Sequence, residues 1–311
     1  MPIIQLENLV KEFNQPDGGK LKAVDGISFD VAKGEIFGML GPNGAGKTTT
    51  LEIIEGLQSP TSGTTKVMGF DSTKDTSKVK EHIGIQLQTS SFFDHLSLIE
   101  ILNLFGSFYP KHTPPEELLE IVDLTDKSKS QVAHLSGGQQ QRFSIVVGLV
   151  NDPDIVFLDE PTTGLDPQAR RHMWKFIRRI NEQGRTIVLT THYMEEAEEL
   201  CDRVAIVDQG KIVALDSPEI LVDKLDASAH LSFRLEKELV QPDVFSQIEG
   251  ITDSEKNGEG VYRLKIAHAS VALPPLIQWA MQNDNRLRGI EIKRATLEDV
   301  FIDLTGSKLR E

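Results

Sequence analysis

The residues with the clearest chemistry form one glycine-rich run between a strand pattern and a helix pattern. The run fits the phosphate-loop pattern G-x-x-x-x-G-K-[ST] at every fixed position and comprises Gly41, Pro42, Asn43, Gly44, Ala45, Gly46, Lys47, Thr48 and Thr49. Glycines allow the tight turn, and backbone amides together with the helix dipole then hold a polyphosphate. Lys47 is expected on the outer phosphates and Thr48 on Mg²⁺. The run therefore predicts a nucleotide site.

Two acids that end an apolar strand pattern are the second candidate group. Four apolar residues lead into Asp159 and Glu160, and a strand of this kind is normally buried on both faces. We assign Asp159 to Mg²⁺, because an acid at the end of such a strand is the usual metal ligand beside a phosphate loop. Glu160 lies beyond the regular pleat, so it need not share the metal and is placed to polarise an attacking water.

Three isolated side chains stand near the ends of strand patterns. Gln88 follows one such pattern, and its neutral carboxamide can coordinate Mg²⁺ or the attacking water; an ordinary polar strand end is the alternative. His192 follows a buried strand pattern at the edge where ligands of open α/β folds gather, which makes it a candidate hydrogen-bond partner of a γ-phosphate. Phe13 either stacks on an adenine ring or fills core.

A second run typical of an anion site begins at Ser136 and continues through Gly137, Gly138 and Gln139 at the start of a helical pattern. A hydroxyl, bare backbone amides and a helix dipole would together form another concavity for phosphate. One fold does not need two such sites for one phosphate chain. The economical explanation is that this run faces the nucleotide of a second subunit, so that two protomers sandwich two ATP molecules head to tail.

Strand and helix patterns alternate through the first 225 residues and predict an α/β fold with a parallel sheet. A helical subdomain is expected at about 89–150, and Phe92 and Phe93 within it either contact a partner or belong to the core. A tight turn containing Asp166 leads into an amphipathic helix. From residue 226 to 311 the patterns follow the order βαββαβ, which predicts a small α+β domain of ferredoxin-like type.

The composition bounds the class of protein. A chain of 311 residues suits two domains, and 39% hydrophobic with 26% charged residues is ordinary for a soluble globular protein. The sequence has no apolar stretch of the roughly 20 residues that span a bilayer, so we expect a cytosolic protein unless a partner brings it to a membrane. The net charge of -14 argues against broad nucleic-acid binding. The single cysteine, Cys201, is expected to be a buried thiol.

Taken together, the motifs over residues 1–225 closely resemble those of the ATP-binding cassette (ABC) ATPases, the motor subunits of ABC transporters. The resemblance implies an ATP-hydrolysing P-loop core with a helical subdomain, ATP and Mg²⁺ as ligands, and a homodimer. It also implies that Phe13 stacks on adenine, although the family more often has tyrosine there. Gln88 would couple the nucleotide state to a membrane partner. The signature run Ser136 to Gln139 and the turn residue Asp166 would contact nucleotide.

The C-terminal tail, with Thr296 to Phe301 followed by Leu304 to Gly306, resembles that of the bacterial drug-exporter branch typified by daunorubicin-resistance ATP-binding subunits. This implies a peripheral subunit at the cytoplasmic face of the membrane that energises a separate permease and exports drugs or other hydrophobic compounds. The alternative is a soluble ABC ATPase acting in DNA repair or translation. Residues 226–311 would form an accessory domain that stabilises the dimer or regulates hydrolysis, unless they are only structural.

Overall fold

The computed structural model describes residues 2–306 except 17, 89–90, 226–228, 238–241 and 258–259. Two compact units divide the chain, the first ending at Ser217 and the second beginning at Pro218. The sequence-based division placed the boundary after residue 225. In the structure, helix α8 (Pro218–Asp223) belongs to the second unit, because it packs against the last helix of that unit, Leu297–Thr305. Both ends of the predicted second domain, 226–228 and 307–311, lie outside the described residues.

Two sheets form the framework of the first unit. Their strands are β1 (Pro2–Asn14), β2 (Lys20–Ala32), β3 (Ile36–Leu40), β4 (Ser62–Val67), β5 (Phe70–Asp71), β6 (Ile83–Gln86), β7 (Ile155–Asp159), β8 (Thr186–Thr191), β9 (Arg203–Asp208) and β10 (Lys211–Asp216). The antiparallel sheet has the order β2-β1-β4-β5, and the larger sheet has the order β10-β9-β3-β8-β7-β6. Buried apolar residues of both sheets and of helix α1 (Lys47–Ile54) join in one core, which includes Ile4, Ile27, Phe37 and Leu51.

The larger sheet decides where the strand-end residues meet. Strand β3 pairs in parallel with β8 and β9, and β7 pairs in parallel with β6 and β8. Every residue of β3, β7 and β8 is buried, as their continuous apolar runs predict. In register, Leu40 lies opposite Thr191 and Asp159 opposite Thr190. The residues that follow these strands therefore share one edge of the sheet.

The remaining described α-helices of the first unit are α2 (Thr76–His82), α3 (Leu98–Gly106), α4 (Pro115–Ile121), α5 (Gly137–Val147), α6 (Pro167–Glu182) and α7 (Met194–Leu200), and two short 3-10 helices span Thr125–Lys127 and Val132–His134. Between β6 and β7 the described residues form helices and turns, with one isolated bridge between Ser97 and Gln131. Phe92 packs edge-to-face against Phe143 at 5.4 Å between ring centroids. Phe93 is 61% exposed, so the two phenylalanines differ in environment.

After α8, the elements of the second unit are β11 (Ala229–Leu235), β12 (Ile251–Lys256), β13 (Val261–Ile266), α9 (Ala269–Gln282), β14 (Leu287–Arg294) and α10 (Leu297–Thr305). The four strands form one antiparallel sheet of order β12-β13-β11-β14. A 3-10 helix, Pro242–Gln247, stands where the first α-helix of the predicted βαββαβ order was expected. Phe233, Phe245 and Tyr262 stack or meet edge-on in the core of the unit. Across both units, none of the described helices is long and apolar enough to cross a membrane.

Candidate nucleotide site

The phosphate loop runs from the end of β3 into the first turn of α1. Gly44 and Gly46 have φ values of +80° and +100°, in the left-handed region that favours glycine. A Cβ at Gly46 would lie 2.1 Å from the carbonyl oxygen of Ala23, so no other residue fits there without a shift. The N-cap is Gly46, which supplies no side-chain cap to the first amides of α1. Those amides and the helix dipole are therefore available to an anion.

Lys47 is buried in the loop with 4% exposure. Its Nζ donates to the carbonyl oxygens of Gly41 at 2.8 Å and Pro42 at 3.0 Å, and lies 3.7 Å from Oε1 of Glu160. Burial lowers the pKa of Lys47, and the nearby charges of Glu160 and Asp159 oppose this shift. The ammonium is thus held within the curve of the loop, where a phosphate chain bound to the amides would meet it.

Asp159 and Thr48 form the oxygen-rich part of the site. The hydroxyl of Thr48 lies 3.2 Å from both carboxylate oxygens of Asp159, and the hydroxyl of Thr190 donates to Oδ1 of the same carboxylate. Burial raises the pKa of Asp159, while these hydroxyls oppose the shift. A hydroxyl and a carboxylate that converge in this way are hard oxygen donors of the type Mg²⁺ prefers. The residues present therefore fit a magnesium ion.

Glu160 departs from the strand immediately after Asp159. Its φ of +49° breaks the alternation of the pleat, and its amide donates to the carbonyl oxygen and the hydroxyl of Thr190. Three groups surround Oε2 of Glu160: the hydroxyl of Thr163 at 3.0 Å, Nε2 of Gln88 at 3.4 Å and Nδ1 of His192 at 3.2 Å. Nδ1 of His192 forms no hydrogen bond among the described residues. Since a non-glycine residue in this region is strained unless its surroundings hold it, the hydrogen bonds from Thr163 and Gln88 fix the carboxylate at the cavity.

A cavity of about 380 Å³ opens beside these groups. Its lining comprises Phe13, Leu21 and Ala23 together with the phosphate loop, Gln88 and Glu160. Phe13 is 37% exposed, and Nζ of Lys11 lies 5.1 Å from its ring centroid. An exposed aromatic at the mouth of a phosphate-binding cavity is suitable for stacking on a base. The alternative, that Phe13 fills core, does not agree with this exposure.

The signature run and Asp166 occupy a different place from the cavity of their own chain. Ser136 and Gly137 are exposed at the start of α5, and none of the signature residues or Asp166 is among the described residues that line the cavity. A Cβ at Gly138 would lie 3.6 Å from that of Ala169 in the first turn of α6. Asp166 caps that turn by accepting from the amides of Gln168 and Ala169. The run and the turn are therefore neighbours.

The side chain of Gln139 is already engaged within the helix start. Its Oε1 accepts from the backbone amide of Ser136 at 3.0 Å and from Nζ of Lys127 at 2.9 Å. This completes a capping box that leaves the first amides of α5 in a fixed orientation. Gln139 thus orders the run, whereas Ser136 and Gly137 are the members exposed to a ligand.

Three contributors to the site lie outside the motifs that were recognised in the sequence. They are Thr190, Thr163 and Lys127, which hold Asp159, Glu160 and Gln139 respectively. Thr163 is part of the turn that contains Asp166, and the sequence alone gives no sign of its contact with Glu160. Thr190 ends a β-branched strand pattern, and only the pairing of β7 with β8 reveals which carboxylate its hydroxyl meets.

The fold and the site first define the class of protein. This is a phosphate-loop nucleoside triphosphatase built on a mostly parallel sheet, in which only the edge strand β10 pairs antiparallel among the described strands. A family model described as ABC transporter matches residues 24–163. The linearmycin resistance ATP-binding protein LnrL of Bacillus subtilis (strain 168) is 35% identical over 99% of this chain and 100% of its own length. The Nod factor export ATP-binding protein I of Burkholderia lata is 35% identical, with full coverage of both chains.

Solved structures agree with this assignment. The cbiO1 protein of Clostridium perfringens, part of an ABC transporter complex, has a TM-score of 0.63 and 28% identity over 72% of this chain and 91% of its own. A dimeric bacterial ABC transporter cassette has a TM-score of 0.62 and 25% identity over 69% of this chain and 98% of its own. The chain belongs to the ATP-binding subunits of ABC transporters, and it is an ATPase.

Proposed function

We propose that this chain is the ATP-hydrolysing subunit of an exporter of drugs or other hydrophobic compounds. It would act at the cytoplasmic face of a bacterial membrane through a separate permease. Support comes from the end-to-end similarity to two subunits whose names state resistance to linearmycin and export of Nod factor. That similarity extends through the second unit, beyond the cassette itself. A soluble ABC ATPase of DNA repair or translation receives no such support.

The single observation that carries the mechanism is the separation of two anion sites within one chain. The phosphate loop borders the cavity, while the exposed start of α5 at Ser136 and Gly137 lies outside it. A helix start with exposed amides and a dipole favours an anion. A second copy placed head to tail would bring its Ser136 and Gly137 to the phosphates held by Lys47 and Thr48. Each catalytic pocket would then be shared between two protomers.

Within such a pocket each side chain has one task. Phe13 stacks on the base, Lys47 neutralises the outer phosphates, and Glu160 polarises the attacking water. Thr48 and Asp159 would hold Mg²⁺, which when bound spreads the charge of the β- and γ-phosphates. Because phosphoryl transfer depends mainly on positioning and charge stabilisation, the contacts that hold Glu160 in place bear directly on turnover.

Two polar side chains complete the pocket beside Glu160. His192 contacts the γ-phosphate, and Gln88 reports the nucleotide state to the permease. Both side chains meet Oε2 of Glu160. A change at the phosphates therefore reaches Gln88 through a single carboxylate.

Mixing two inactive variants tests whether the pocket is shared. Lys47→Ala removes the phosphate loop's cation, and Ser136→Arg blocks the signature run. In a head-to-tail dimer of one copy of each, one pocket keeps both an intact loop and an intact run. If half the dimers are mixed, turnover should return to roughly a quarter of the wild-type value. If each chain used only its own residues, the mixture would stay as inactive as its components.

Co-purification tests the exporter role separately. The full chain carrying an affinity tag should retain one integral membrane protein when membranes of its own organism are solubilised in detergent and washed with ATP present. The matched control is the chain with Phe93→Ser, since Phe93 is the more exposed of the two phenylalanines in the helical stretch. Retention of ribosomes or DNA in place of a membrane protein would contradict the exporter role and favour the soluble alternative.

A further inference from the structure

Helices α6 and α7 begin next to two different parts of the site. Helix α6 starts directly after Asp166, which caps its first turn, and α7 starts two residues after His192. No residue of either helix is among the described residues that line the cavity. Three side-chain contacts nevertheless join the two helices along their length, and they differ in burial.

The central contact is a hydrogen bond between two buried side chains. Nε1 of Trp174 donates to Oε1 of Glu196 at 3.0 Å. Trp174 is 6% exposed and Glu196 is 0% exposed, while Oε2 of Glu196 has no hydrogen-bond partner among the described residues. Burial raises the pKa of this carboxyl. The hydroxyls of Thr162 and Thr191 and the charge of Arg170 oppose this shift. Because Thr191 directly precedes His192, a carboxyl that is costly to bury lies beside the strand end that carries the histidine.

A second contact leads from α6 to His192. The guanidinium carbon of Arg170 lies 3.9 Å from the ring centroid of Tyr193, and that ring lies 4.1 Å from the ring of His192. Arg170 is also tied to the turn at Asp166, since its amide donates to the Asp166 carbonyl oxygen at 2.9 Å. The position of the His192 ring therefore depends on how α7 is seated against α6.

The third contact is exposed. Arg178 forms an ion pair with Glu199 at 3.0 Å, and both side chains are about half exposed. It joins the same two helices at the end away from His192. An exposed ion pair of this kind contributes little to stability, so it offers a matched control for the buried contact.

We propose that Glu196 is a positioning residue for hydrolysis, which seats α7 on α6 through Trp174 and thereby fixes His192 beside Glu160. The inference rests on the role given above to His192. It also links His192 to the tight turn that contains Asp166. That turn leads directly into α6, and Arg170 and Trp174 lie in the first and second helical turns of α6. A nucleotide-dependent shift at Asp166 would move the histidine with it.

The test compares Glu196→Ala, Glu196→Gln and the control Glu199→Gln in the full chain. Misplacing a catalytic group by about 1 Å can cost on the order of 100-fold, so Glu196→Ala should lower kcat by about tenfold or more. KM for ATP should change by less than about twofold, because Phe13 and the phosphate loop are untouched. Glu196→Gln still offers an oxygen to Trp174 and should restore most of the turnover. Glu199→Gln should match the wild type, and all three should melt as folded proteins.

A double-mutant cycle separates positioning from a general structural effect. In a His192→Ala background, Glu196→Ala should cause no further loss of kcat, since the residue it positions is gone. Equal losses in both backgrounds, or a folded Glu196→Ala variant with full kcat, would overturn the inference while leaving the role of His192 intact. Full turnover of His192→Ala alone would instead overturn that role, and the inference with it.

Discussion

The most direct stability prediction concerns Glu55, at the end of α1. Its side chain is 1% exposed, and neither carboxylate oxygen has a hydrogen-bond partner among the described residues. Burial, with smaller contributions from the charges of Asp159 and Glu52, raises the pKa of Glu55 from 4.5 to about 8. The substitution Glu55→Gln keeps the shape of the neutral acid and removes the possibility of ionisation.

The sign of the effect follows from proton binding. Between pH 4.5 and about 8, the folded chain keeps a proton on Glu55 that the unfolded chain releases. Stability therefore falls as pH rises through this range, at about 1.4 kcal/mol per pH unit. The advantage of Glu55→Gln over the wild type should be about 2 kcal/mol at pH 6 and about 5 kcal/mol above pH 8. For a unit of this size, the difference corresponds to a Tm gain that grows by roughly 5–10 °C between the two conditions.

Thermal unfolding at about pH 6 and pH 8.5, followed by circular dichroism, measures this gain. The control Glu81→Gln changes an exposed acid on α2 and should leave both melting curves unaltered. Asp159→Asn removes the negative charge that, after burial, contributes most to the raised pKa of Glu55. The pKa of Glu55 should therefore be lower in this variant. A Glu55→Gln variant whose advantage does not depend on pH would refute the reasoning, because it would show that the carboxyl ionises at the same pH in both states.

Three further predictions concern the site. Phe13→Ala should raise KM for ATP by roughly 5- to 100-fold, as expected for the loss of one base stack, whereas Phe13→Tyr should not; an unchanged KM in ATP titrations would make Phe13 a packing residue. Gly137→Ala should leave Tm unaltered, since nothing lies within 4 Å of an added Cβ. Its turnover should nevertheless fall by about tenfold, because the exposed amides face a partner's phosphates; full turnover would contradict this. Thr190→Val should lower kcat by about tenfold by freeing Asp159 and Glu160. The control Thr186→Val loses a bond from the Gly34 amide, away from both carboxylates, and should match the wild type in the same assay.

Much of the site could be predicted because its residues follow strands that are continuous in sequence. The phosphate loop follows β3, Asp159 ends β7, and His192 follows β8. Continuous apolar runs predict buried parallel strands, and the carboxyl ends of parallel strands lie at the same edge of a sheet. The pairing partners could not be predicted in this way. That Thr190 meets Asp159 depends on the register of two strands 31 residues apart in the sequence, and no local pattern fixes that register.

The contacts between helices could not be predicted from the sequence either. Glu196 belongs to an acidic stretch with Glu195, Glu198 and Glu199, and such a stretch is typical of a solvent-exposed helix. Only the packing of α6 against α7 shows that this one glutamate is enclosed and bound to Trp174. The domain boundary differs from the predicted one for a related reason. The helix pattern of α8 fits either unit, and its packing against α10 assigns it to the second unit.

The central claim is that each pocket is shared by two copies of the chain. The measurement that tests it most directly is light scattering of Glu160→Gln during size-exclusion chromatography, with and without ATP and Mg²⁺, alongside wild-type turnover over a series of protein dilutions. We predict a monomer without nucleotide, a dimer with ATP, hydrolysis lowered by about 10²- to 10³-fold, and wild-type turnover per chain that falls on dilution. A variant that stays monomeric with saturating ATP, together with turnover independent of dilution, would contradict the claim.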